Sequence, residues 1–171
     1  MSAMDKVHVL ARIGLVLLRI QAVENVILLC LTFVFKNSTK QWDKLHAKDE
    51  ATRKQTLGFF LTELRKRVEL NKSFDKDLES FLSMRNTFVH RLSDVPGWDV
   101  ETQAGLMAAH KFLTELDDTT DHVGKVFHAF VRLWENHNGI ENTDSDHPYF
   151  KDVDETYLKI LPTFFSPKVD E

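Results

Sequence analysis

Residues 75–92 read DKDLESFLSMRNTFVHRL, and the spacing of their apolar side chains decides the fold class. Advancing about 100° per residue, Leu78, Phe81, Leu82, Phe88, Val89 and Leu92 fall on one stripe, the pattern of an amphipathic helix rather than a strand. Arg85 lies in the middle of that stripe. Leaving a guanidinium unpaired in a core is costly, so Arg85 must meet a carboxylate, a phosphate, or water at an opening in the core. Glu24, on an otherwise apolar segment, is a candidate partner. Asn86 and His90, four positions apart, stand one above the other beside the stripe, with Glu79 and Ser83 extending the same polar wedge. One helix face therefore offers a permanent cation, an amide and an imidazole. Those groups can hold a phosphodiester and move a proton near neutral pH.

The helical period continues on both sides of this segment. Residues 5–35 are apolar at helical spacing for too long to be a strand, and residues 52–70 place Leu57, Phe60, Leu61, Leu64 and Val68 on one stripe. Residues 101–136 do the same with Leu106, Ala109, Leu113, Leu116, Val123, Phe127, Phe130 and Trp134, with a break expected near Asp117 to Asp121. Asn37-Ser38-Thr39 and a polar connection over 40–50 separate the first two segments, and Ser93-Asp94-Val95-Pro96-Gly97 is a turn signal after the third. The tail from about residue 139 is less regular, with Asp144, Asp146 and His147 in a loop and a short helix over 154–161. Only six Gly and four Pro punctuate the chain, so strands have little support. The expectation is one all-α domain over residues 1–171, a bundle of four to five helices.

Composition narrows the function classes. With 22 basic and 26 acidic side chains the net charge is -4, which excludes the bulk positive field of a protein that coats nucleic acid; any such contact must be local. A single cysteine, Cys30, can form no internal disulfide and sits in an apolar run, as suits a reducing cytoplasm. The apolar start is interrupted by Arg19, Gln21, Glu24 and Asn25. Its longest stretch without strongly polar residues, 26–35, falls short of the roughly 20 residues of a spanning helix. It reads as a core helix, with neither membrane insertion nor export expected.

The run Arg85-Asn86-Thr87-Phe88-Val89-His90 resembles the R-x4-H motif of HEPN domains, including the polar residue after the arginine. Thr56-Leu57-Gly58, Leu61 and Leu64, then Leu78 and Leu82, resemble the lead-in to that motif in bacterial members, so the likeness covers about residues 56–92. The resemblance implies a helical bundle forming a two-fold dimer, motif helices lining a shared cleft, and RNA cleavage without metal or other cofactor. It also implies toxin or defence members that work with a neutralising antitoxin protein. Cleavage by a ribose 2′-OH needs a base for that hydroxyl, an acid for the leaving 5′-oxygen, and positive charge on the transition state. A dimer presents two copies of His90 and of Arg85, which yields acid and base from one sequence position. His90 is then general acid/base, Arg85 the phosphate stabiliser, and Asn86 orients His90 or the substrate. Glu24, Gln21 and Ser83 are candidates to line the cleft.

Each of these residues has a plainer reading. Arg85 can simply complete a buried ion pair with Glu24, His90 can be a helix-end histidine, and a noncatalytic HEPN module can bind nucleotide, RNA or protein with the same groups. Arg65-Lys66-Arg67 reads as a solvated helix end, and Asp117, Asp118, Asp121 and His122 as a polar helix surface without the second histidine or cysteine a metal site would want.

Overall fold

The structure, a computed structural model, describes residues 5–32, 57–141 and 146–167. The turn at 37–39, the connection at 40–50 and Asp144 lie outside these residues. The chain is mostly helical, as its periodicity requires: α1 is Lys6–Thr32, α2 Leu57–Arg67, α3 Lys72–His90 and α4 Gln103–His137. A tail of α5 (Pro148–Asp152), a π-helical turn (Val153–Tyr157) and α6 (Leu158–Phe164) folds back on α4.

The long interface is α1 against α4. Val9, Val16, Ile20, Val23 and Ile27 of α1 are buried there, facing Leu113, Leu116, Val123 and Phe127 of α4 within one core. A Cβ on Gly124 would stand 2.9 Å from Val23 Cγ2, so the two helices approach closely at that point. Leu57, Leu61 and Leu64 of α2 and Phe74, Leu78, Phe81 and Phe88 of α3 complete the core, while Val89 is 41% exposed at the edge of its stripe.

By length and composition α1 could cross a membrane, so the span over 26–35 understates it. In this fold its inner face belongs to the core. Its outer face is bare: Val7, Leu10, Leu15, Leu17 and Leu18 are exposed, with Gly14 among them.

Three expectations need correction. Helix α4 does not break at Asp117 to Asp121. Leu116 and Thr120 are buried, the Thr119 and Thr120 hydroxyls donate to the carbonyls of Glu115 and Leu116, and Asp117 and Asp121 are engaged by Arg19 and Lys125. Turn-forming side chains whose bonds are met within the helix do not end it. Helix α2 stops at Arg67, because residues 68–70 form a strand β1 (Val68–Leu70) paired antiparallel with β2 (Phe165–Pro167). Strands, which the composition disfavours, therefore occur among the described residues as one short clasp. Finally, α3 starts at Lys72 rather than at 75. The Asn71 side chain accepts from Ser73 N at 2.7 Å and caps the helix early, and its amide donates to the Thr163 carbonyl at 3.1 Å.

Buried ionic and aromatic contacts fasten the tail. Arg132 is only 5% exposed, with its guanidinium 3.3 Å from Glu135, 3.5 Å from Asp154 and 4.7 Å above the Phe150 ring. Phe165 of β2 stacks edge-on against Phe130, and Phe164 and Phe165 both lie against Phe74 at the start of α3.

Candidate functional site

Helix α3 carries its polar wedge to a cavity of about 390 Å³ that opens between its C-terminal end and the start of α2. Leu57, Gly58 and Leu82 make the apolar part of the wall; Arg85, Asn86, His90 and Arg91 make the rest. The size suits a small ligand or one unit of a polymer, and none of the described residues that line the wall is acidic.

Arg85 is half-buried and held from two sides. Its Nε donates to Glu24 Oε1 at 2.7 Å across the α1–α3 contact, and its Nη1 donates to Asn86 Oδ1 at 3.1 Å. The anticipated Glu24 pair is therefore present, and the carboxylate sits behind the guanidinium rather than in the cavity wall. With its oxygen turned to Arg85, Asn86 has its amide N–H groups left to donate. His90, the last helical residue of α3, is exposed, and its ring makes no hydrogen bond to another described residue. Arginine, amide and imidazole thus share one solvent-reached hollow.

Gln21 and Ser83 are exposed and take no part in this cavity wall. On α3 the lining positions run from Arg85 through Leu82 and Asn86 to His90, and Ser83 falls just beyond that sector. Gln21 precedes Glu24 on the outward side of α1. Glu79, the acid that would repel a phosphate, is drawn away by Arg65, whose guanidinium reaches Glu79 at 3.1 Å and Asp75 at 2.7 Å. Lys66 pairs with Glu63, so these two cations of the basic helix end serve local carboxylates.

The acids and histidines of α4 disperse in the same way. Asp117 binds Arg19 at 2.7 Å, Asp121 binds Lys125 at 2.8 Å, and His122 stands 3.1 Å from the Tyr157 hydroxyl and 3.6 Å from Asp77. His147 caps α5, its Nδ1 accepting from Tyr149 N.

Arg91 is the cavity residue that sequence periodicity misses. Continued as a helix, position 91 would turn away from Arg85; instead the backbone leaves helical geometry there, at φ -145° and ψ 43°. The Arg91 N–H still donates to the Thr87 carbonyl at 2.8 Å, and its carbonyl accepts from Asp94 N at 2.9 Å. The turn signal at 93–97 marks that exit, although it does not say where the side chain goes. Leu57 and Gly58 are likewise brought in only by the approach of α2. No family model matches the chain, nor does any curated protein or solved structure, so the function of this hollow rests on its own side chains.

Proposed function

We propose that the chain is a metal-independent endoribonuclease of the HEPN kind, a toxin or defence enzyme of the cytoplasm that works as a homodimer on RNA. The observation that carries this reading is the open cavity in which Arg85, Asn86 and His90 meet, with no acidic side chain among the described residues of its wall. Arg85, oriented by Glu24, faces the nonbridging oxygens of the scissile phosphate and stabilises the charge that builds there. Asn86 donates its amide N–H to the same phosphate. His90 takes the proton from the ribose 2′-OH as that oxygen attacks phosphorus. His90 of the partner subunit protonates the departing 5′-oxygen, leaving a 2′,3′-cyclic phosphate and a free 5′-OH. Neither proton transfer requires a metal ion.

The outer face of α1 supports the second copy. From Val7 to Leu18 it sets large exposed side chains around Ala11 and Gly14, an apolar face of the kind a two-fold contact covers, and towards Gln21 and Asn25 it runs on beside Glu24.

RNA cleavage in EDTA by the wild type and by the His90→Ala and Arg85→Ala variants tests the reading. The expected outcome is cleavage by the wild type alone, with losses of at least about 100-fold in each variant. Equal activity in all three removes these residues from the mechanism. The Arg85–Glu24 pair also favours a second reading, a noncatalytic module that binds RNA through the same hollow; its mark is retention of RNA by the wild type without any product.

A further inference from the structure

We infer that Arg91 is a second phosphate-binding residue, which holds the phosphate next to the scissile one on a single RNA strand. The inference rests on reading the cavity as an RNA site, though not on turnover. Three features of the structure lead to it.

First, the hollow of about 390 Å³ exceeds what one phosphate fills, so a strand entering it brings a nucleoside and a neighbouring phosphate as well. The apolar surface of Leu57, Gly58 and Leu82 suits the nucleoside, and the cationic side suits the backbone.

Second, the two arginines of the wall differ in commitment. Arg85 is bound by Glu24 and Asn86, whereas the Arg91 side chain is exposed and makes no ion pair or hydrogen bond among the described residues. In a chain of net charge -4, where Arg12, Arg19, Arg65, Lys66, Lys125 and Arg132 are all engaged by carboxylates, a guanidinium without such a partner among the described residues stands out in a cavity wall.

Third, its backbone is fixed. Hydrogen bonds to Thr87 and from Asp94 hold residue 91 on both sides, so the side chain starts from a defined point just past His90. Arg91 is then a binding residue, distinct from the groups that stabilise the reacting phosphorus or move protons.

The test uses the full chain and a mixed-sequence single-stranded oligoribonucleotide with 2′-O-methyl groups, which cannot be cleaved. Binding is followed by fluorescence anisotropy across a salt series for the wild type, Arg91→Gln and Arg91→Lys, with inorganic phosphate alone as competitor. The wild type is expected to bind with a salt slope that Arg91→Gln lowers by about one and Arg91→Lys largely keeps, the affinity of Arg91→Gln falling about tenfold at low salt. Inorganic phosphate is expected to compete only weakly, since it offers one phosphate where the strand offers two. On unmodified RNA, Arg91→Gln is expected to raise KM while the single-turnover rate stays within about twofold. Wild-type binding with an unchanged slope and affinity in Arg91→Gln overturns the inference and leaves the RNA reading intact. Failure of the wild type to bind the oligonucleotide overturns both. Because Arg91 is exposed, circular dichroism of the variants is expected to match the wild type.

Discussion

Arg85 joins two helices and lines the hollow with the same side chain. Its Nε face closes the α1–α3 contact through Glu24, and its other end faces the hollow beside Asn86. Glu24→Gln removes the charge behind the guanidinium and is expected to cost about 1–3 kcal/mol, read from urea unfolding, because the pair is mostly shielded from water. The same change should lower the cleavage rate while leaving His90 and Arg91 in place. Periodicity placed Arg85, Asn86 and His90 close together, since residues one and four positions apart on one helix keep their mutual placement wherever the helix goes. Arg91, Leu57 and Gly58 could not be found that way. One depends on where the helix stops, the others on how a second helix approaches it.

At the scale of elements, long amphipathic stripes were readable and their ends were not. All eight apolar positions picked out on α4 are buried, but in the stretch from Asp117 to Asp121 one acid is paired with Arg19 of another helix, a contact that spacing does not reveal. The β1–β2 clasp was hidden because Val68–Leu70 has its pairing partner at the far end of the chain. The seat of α5 on α4 carries a pH dependence. His128 Nδ1 lies 2.9 Å from both the Gly124 carbonyl and the Tyr149 hydroxyl, and burial, helped by Arg132, holds its pKa below the ordinary value against the pull of that carbonyl. The unfolded chain takes up this proton at about pH 6.5 and the folded one only at lower pH. The contribution of His128 is therefore full above about 6.5 and declines as pH falls from there to the lowered value. His110 is depressed in the same sense by partial burial, Arg12 and His8. His128→Asn is expected to give a shallower fall in Tm between about pH 7 and about pH 5, measured by differential scanning calorimetry, with the slope due to His110 remaining.

Over the whole molecule, charge and apolar surface are distributed unevenly. The net charge of -4 leaves the cationic hollow as a local feature, and the bare side of α1 is the apolar strip a second copy would cover. Leu18 is 65% exposed, so Leu18→Glu should leave unfolding within about 0.5 kcal/mol of the wild type. It is expected to shift sedimentation from dimer to monomer and to abolish cleavage with it; an unaltered dimer would move the seam elsewhere. The clasp bears on biosynthesis. The bond from Asn71 to Thr163 spans 92 residues, and Asn71 is the cap of the helix that holds the arginine and the histidine. On the ribosome that helix emerges long before the tail that fastens its beginning, and closing so wide a loop comes late. Until residues 163–167 have been made, the start of the helix that bears Arg85 and His90 lacks the strand and the carbonyl that fasten it.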